Sequence, residues 1–191
     1  MIESMITIAI IGIMTATVIP ALARMVSENR QHRATLEVML AARRARVEAM
    51  FAGYASALYY VMQAGGAVIV PVTGLTTRCN RGDNGDYDFL SPVTLPRGWQ
   101  ELVGSPPILM SRFDMGGLAI RTRLTFNDAE ANTGFLCWEP RGECWYSTTP
   151  WNAGAANPET VMFFNRLNLG GNEVGTERQL IFPASCTARI R

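Results

Sequence analysis

The sequence predicts an α+β protein in which a long N-terminal α-helix packs on an antiparallel β-sheet head. Three observations lead to this class. Residues 4–23 carry no charged side chain, residues 25–63 keep a helical spacing of apolar residues, and the rest alternates short apolar and polar runs between Gly, Pro, Asn and Asp. We therefore divide the chain into a transmembrane helix at 1–24, its amphipathic continuation at 25–64, and a globular β head at 65–191.

The first element is long enough to cross a bilayer, which takes about 20 apolar residues in a helix. Secretory signal peptides begin with basic residues and end at a small-residue cleavage site, whereas here Glu3 precedes the apolar run. We therefore expect the segment to be retained. A carboxylate in an apolar helix is unfavourable when unpaired, so Glu3 needs a partner or a position among lipid headgroups.

The order Ile2-Glu3-Ser4-Met5-Ile6, followed by Gly12 and Pro20, resembles the amino terminus of mature type IV pilins. In that family an acidic residue precedes an apolar run that contains a Gly and closes with a Pro at this spacing. The resemblance implies that Glu3 pairs with the N-terminal amine of a neighbouring subunit during filament assembly. It also implies local unwinding or bending between Gly12 and Pro20, and two further residues and a leader peptide ahead of Met1.

The second element is predicted to remain helical through about Gln63, where Gly65-Gly66 stops it. The arginine-dense stretch at 43–46 is interpreted as a solvated helix face, with a partner surface as the alternative. Large apolar residues recur at spacings of three, four and seven, and we expect this stripe to pack on the head: Leu36, Leu40, Val47, Phe51, Tyr54, Leu58 and Val61.

The head is predicted to contain about six antiparallel strands, at residues 67–72, 118–126, 135–138, 144–147, 161–167 and 179–182. The sequence Glu139-Pro140-Arg141-Gly142 is typical of a hairpin turn. Residues 79–107 are rich in Gly, Pro, Asp and Asn and predict a long surface loop, which in a compact domain tends to be functional or tied down.

Four cysteines, Cys79, Cys137, Cys144 and Cys186, form no CxxC pair and no Cys/His cluster of zinc spacing, and predict two disulfides in an exported head. Pairing Glu139 with Gly142 in the hairpin places Cys137 opposite Cys144, within bridging range. Cys79 and Cys186 then form the second bond. The other two of the three possible connectivities stay open.

Beyond the helix, the order of features resembles the FimT/GspH group of minor pilins and pseudopilins. Short islands carry this resemblance: residues 40–50, Pro140-Arg141-Gly142 and Ala188-Arg189-Ile190-Arg191, where the group has Gly in place of Ala188. It implies a structural subunit of a type IV pilus, a minor pilin that primes assembly or sits near the tip, with a major pilin or a type II secretion pseudopilin as alternatives. The implied partners are other pilin subunits, and the implied locations are the inner membrane and then a surface pilus or a periplasmic pseudopilus.

The same resemblance raises DNA binding as a further alternative, through Arg178, Arg189 and Arg191. Two or three phosphate contacts give weak, salt-sensitive binding, and solvated terminal arginines are the competing interpretation. The chain has 17 basic and 16 acidic residues, so no global positive field supports a dedicated nucleic-acid binder.

Asp83, Asp86 and Asp88 offer oxygens for Ca²⁺, but Asp/Asn/Gly runs are also ordinary turn chemistry.

We expect no enzyme and no cofactor, because the chain has one histidine, His32, and lacks a Gly-x-Ser-x-Gly motif, a phosphate loop and paired His ligands.

Overall fold

The computed structural model of the chain describes residues 2–64, 66–79, 87–90, 93–96, 99–114, 119–126, 128–147, 160–168, 170–183 and 186–191. One long helix, α1 (Ile2–Ala52), is followed by antiparallel strands, which confirms the predicted α+β class. A short 3₁₀ helix covers Met110–Phe113. The described strands are β1 Ser56–Gln63, β2 Gly66–Gly74, β3 Tyr87–Leu90, β4 Val93–Pro96, β5 Trp99–Glu101, β6 Ile108–Leu109, β7 Ile120–Phe126, β8 Ala129–Ala131, β9 Thr133–Trp138, β10 Cys144–Ser147, β11 Thr160–Leu167, β12 Glu173–Phe182 and β13 Arg189–Ile190.

The helix ends at Ala52, so the prediction that it continues to about Gln63 was wrong. Gly53 follows with φ +76°, a left-handed conformation that Gly adopts without a Cβ clash and that commonly terminates helices. The aromatic and β-branched residues after it favour a strand, and they form β1. The helix therefore does not stop at Gly65-Gly66 as predicted, and Gly66 instead begins β2 and pairs with Gln63 of β1.

The strands form two main sheets. The first has the order β10-β9-β1-β2-β5, with β6 also pairing with β2, and the second has the order β13-β12-β11-β7-β8. Strands β3 and β4 pair with each other inside the predicted 79–107 loop, and β5 falls in it too, so that segment is more regular than the sequence suggested. The segments predicted as strands at 67–72, 135–138, 144–147 and 161–167 are confirmed within the described residues.

The main core lies between the two sheets and α1. Side chains such as Leu58, Leu136, Leu124 and Phe164 are fully buried there. The Tyr60 hydroxyl donates a hydrogen bond to the carbonyl oxygen of Thr122 at 2.9 Å and so ties the first sheet to the second. Burial raises the pKa of Tyr60, which keeps the hydroxyl a donor.

The opposite face of the first sheet carries a second apolar cluster. Tyr59, Val70, Trp99 and Phe135 are buried in it, and the rings of Trp99 and Phe135 meet edge to face with centroids 4.7 Å apart. The first sheet is therefore covered on both faces. Trp99 lies in β5, the edge strand next to β2, and its ring belongs to the second cluster.

All four cysteines form disulfides, as predicted, but the predicted pairing was wrong. The bonds join Cys79 to Cys137 and Cys144 to Cys186. In the β9–β10 hairpin Gly142, with φ +88°, is an extra residue, and the amide of Glu139 donates to the carbonyl oxygen of Glu143.

This bulge shifts the pairing by one residue, so Cys144 lies opposite Trp138 and Cys137 lies opposite Trp145. A one-residue shift moves side chains to opposite faces of a sheet. Cys137 accordingly belongs to the second cluster and Cys144 to the main core, and each bonds a cysteine on its own side.

Trypsin can test this connectivity, because arginines place the four cysteines on separate peptides, 79–81, 124–141, 142–166 and 179–189. We expect a non-reduced digest to link 79–81 with 124–141 and 142–166 with 179–189. The bonds close separations of 58 and 42 residues, so removing either one by a double Cys→Ser change should cost about 4 kcal/mol of stability. A link between 124–141 and 142–166 in mass spectra would contradict the observed register.

Candidate functional site

The N-terminal half of α1 stands free of the head. The helix is long and apolar enough to cross a membrane, and no residue of its apolar window is buried. Among the helix residues whose burial the structure describes, Ser27 is the first that is buried, about 36 Å along the axis from Glu3 at 1.5 Å per residue. Large apolar side chains point outward on all sides, among them Met5, Ile6, Ile8, Ile10, Ile11, Ile13, Met14, Val18, Ile19 and Leu22.

Such a surface is unfavourable in water, so this half of the helix requires a nonaqueous partner or removal. The apolar helix indicates membrane insertion or a signal sequence, and the two disulfides indicate an extracytoplasmic location.

Glu3 lies in the first turn of this helix and is exposed. The positive end of the helix dipole favours a carboxylate at that position. The Thr7 hydroxyl donates to the backbone carbonyl oxygen of Glu3 at 2.8 Å. The described side chains from Glu3 to Val26 are all exposed, so a separate molecule can approach the Glu3 carboxylate.

The helix is continuous from Ile2 to Ala52 in the single chain, so it is not unwound at Gly12 or Pro20 there. The polar side chains of the segment bond to the helix itself. Thr15 donates to the carbonyl oxygen of Ile11 at 2.7 Å, and Thr17 donates to that of Met14 at 3.0 Å. These hydroxyls need no outside partner, which suits them to an apolar environment.

The second half of α1 packs on the head with a face of small residues. Its members are Ala34, Val38, Ala42, Ala45 and Ala49, each at most 1% exposed. Small side chains let the helix backbone approach the sheets closely. Their spacing of three and four residues was visible in the sequence and was missed because the larger apolar residues were given more weight.

Polar contacts fix this face in register. The side-chain amide of Gln31 donates to the carbonyl oxygens of Phe164 at 2.5 Å and Thr176 at 3.0 Å. The buried Arg166 guanidinium forms an ion pair with Glu28 at 3.5 Å. The second sheet is therefore attached to a defined stretch of the helix.

The predicted apolar stripe does not pack on the head as a unit, which corrects that expectation. Leu40, Val47 and Phe51, here called the outer stripe, are 58%, 50% and 86% exposed. At 100° per residue they lie on the side of α1 opposite the small-residue face. Tyr54 is also exposed, while Leu58 is buried in the main core as part of β1.

The structure does not bring the three candidate DNA-contacting arginines together. Arg178 faces α1, where its guanidinium contacts the His32 ring at 3.3 Å. Arg189 lies opposite Ile181 in the β12–β13 pair, and the backbone of Arg191 bonds to that of Gln179. Because the side-chain direction alternates along a strand, Arg189 and Arg191 lie on the other face of the second sheet from Arg178.

The calcium candidates lie outside what the structure describes, since Asp83 and Asp86 and the side chain of Asp88 are not covered. Within the described ranges, no group of three or more His, Cys, Asp or Glu side chains is arranged to hold a metal ion.

Comparison of the chain with protein-family models, with curated proteins and with solved structures finds no match. Its architecture is pilin-like: a long N-terminal helix, apolar and exposed in its first half, packed in its second half on antiparallel sheets with disulfides.

Proposed function

We propose that this chain is a structural subunit of a type IV pilus or a related pseudopilus, inserted in the inner membrane through α1 before it polymerises. The observation that carries the proposal is the division of one helix into two surfaces. The small-residue face is used by the head, whereas the free half and the outer stripe leave large apolar side chains exposed.

A membrane anchor alone accounts for the free half of the helix. It does not account for the outer stripe, which lies beside the head, beyond the 20 or so residues that span a bilayer. Apolar side chains on one helix face continuous with an anchor suit packing against helices of other subunits, with the head on the outside. The proposed partners are therefore other pilin subunits, and the role is structural and not enzymatic.

Within this class we propose a minor pilin that primes assembly or sits near the tip. The support is the resemblance of residues 40–50, Pro140-Arg141-Gly142 and residues 188–191 to the FimT/GspH group. A type II secretion pseudopilin and a major pilin are the alternatives. A major and a minor pilin differ in abundance, since a major pilin makes up most of the filament mass and a minor pilin only a small fraction.

Glu3 provides the test of assembly. We expect Glu3→Ala to leave the chain membrane-inserted and folded but poorly incorporated into filaments, because the carboxylate that pairs with a neighbouring amine is lost. The measurement is the amount of subunit in sheared filaments at matched expression. Glu130→Ala, which removes an exposed carboxylate from the head, is the matched control and should assemble normally. Normal incorporation of Glu3→Ala would contradict the role given to Glu3.

A further inference from the structure

A cleft of about 530 Å³ lies beside the β9–β10 hairpin, on the face of the first sheet that carries the second cluster. The residues that give it chemistry are Arg78, Arg141, Glu139, Glu143 and Trp145. None of them belongs to α1, so the cleft is separate from the surface proposed for assembly. Its volume is within the range of about 300–1,000 Å³ typical of small-molecule sites.

The walls of the cleft are fixed by bonds. The Cys79–Cys137 disulfide ties the segment that carries Arg78 to β9. The buried Glu139 carboxylate accepts a hydrogen bond from the backbone amide of Cys79 at 3.0 Å, and the hairpin turn is closed by the Gly142 amide and the Glu139 carbonyl oxygen at 2.9 Å. A ligand would therefore meet a preformed site and lose little free energy to ordering it.

Among the described residues, the charged groups that line the cleft do not form ion pairs with one another. Two guanidinium groups and two carboxylates line it, yet none of the ion pairs among the described residues joins Arg78 or Arg141 to Glu139 or Glu143. The second sheet behaves differently, since Arg123 there pairs with Glu177 at 3.1 Å. The cleft thus offers guanidinium donors beside the Glu143 carboxylate, while one oxygen of Glu139 already accepts a hydrogen bond from the Cys79 amide.

Trp145 supplies a further unused donor. Its indole Nε1 is buried and has no hydrogen-bond partner in the part of the chain that the structure describes. A buried donor without an acceptor is unfavourable and rare in folded proteins. Trp145 lines the cleft, so a turn of its side chain would bring Nε1 to an oxygen of a ligand there.

We propose that this cleft binds a neutral saccharide of about disaccharide size. Its described lining carries two arginines and two glutamates, so a polyanion would meet Glu139 and Glu143 and a cation would meet Arg78 and Arg141. Sugar hydroxyls both donate and accept, so they can use guanidinium, carboxylate and indole N–H groups together. The Trp145 side chain adds an apolar surface for the C–H face of a ring.

The test uses the full chain in lauryldimethylamine oxide micelles, whose headgroup is not a sugar. Saturation-transfer NMR is recorded with cellobiose, lactose and N,N′-diacetylchitobiose, and with the zwitterionic dipeptide alanyl-alanine. We expect transfer to at least one disaccharide. Arg141→Ala and Trp145→Phe should each weaken that binding by about tenfold, the effect of losing one good hydrogen bond to a buried or charged group.

Three features keep the result decisive. Arg141 is exposed and Trp145→Phe keeps an aromatic ring in the second cluster, so both variants should fold. Arg43→Ala removes an exposed arginine of α1 and should bind like the unmodified chain. Three results would each overturn the proposal. They are absence of transfer from all three disaccharides, binding by Arg141→Ala and Trp145→Phe as tight as that of the unmodified chain, and transfer from the dipeptide alone.

Discussion

Deleting residues 1–25 is expected to convert the chain from one that needs detergent or filament neighbours into a soluble, cooperatively folding monomer. The deleted segment exposes about 20 mostly apolar side chains, and each fully buried large one gains about 1.5–3 kcal/mol on leaving water. Every deleted side chain whose burial the structure describes is exposed, and Ser27 beyond the cut is buried, so the packing on the head is retained. Circular dichroism should show mixed helix and strand content with a single unfolding transition.

The measurement is sedimentation of both forms in plain buffer under oxidising conditions. An intact chain that stayed monomeric without detergent would contradict the assignment of the free half of α1. A truncated head that failed to fold would contradict the packing of the small-residue face on the sheets of its own subunit.

Placing charge on the outer stripe should block assembly without harming the fold. In Val47→Glu/Phe51→Glu both new carboxylates stay in water in the single subunit, so we expect the unfolding free energy of the truncated head to change by about 1 kcal/mol or less. Between packed helices the same carboxylates would be buried without partners, which costs several kcal/mol. Leu75→Glu, which places a carboxylate at a 61% exposed apolar site of the head, is the control.

The fold class could be predicted because a few sequence segments have patterns that fit only one type of secondary structure. An uncharged run of 20 residues fits a membrane-spanning helix, and the alternation of apolar and polar residues in β7 fits a half-buried strand. The face of α1 that packs on the head was harder to predict, because both sides of the helix carry apolar residues. A helix that lies close to a sheet needs small side chains, so Ala42 and Ala45 are buried while the more hydrophobic Leu40 and Val47 face outward.

The disulfide pairing and the end of the helix depended on single glycines. Whether Gly142 pairs with Glu139 or is an extra residue is decided by its positive φ, and that choice determines the face on which Cys144 lies. Gly53 ends the helix by the same conformational freedom, although a single Gly inside a helical pattern is a weaker signal than Gly65-Gly66. Arg178, Arg189 and Arg191 lie in neighbouring strands, but the alternation of side chains places Arg178 on the opposite face of the second sheet from the other two.

The central claim is that α1 packs on its own head through the small-residue face and on other subunits through its free half and the outer stripe. The most direct test compares the sheared-filament fraction with the membrane fraction for the unmodified chain, Val47→Glu/Phe51→Glu and Leu75→Glu at matched expression in the source cells. We predict that the outer-stripe variant is retained in the membrane and depleted from filaments by at least about tenfold, as a cost above 1.4 kcal/mol requires, while Leu75→Glu assembles normally. Equal amounts of the outer-stripe variant and the unmodified chain in filaments would contradict the claim.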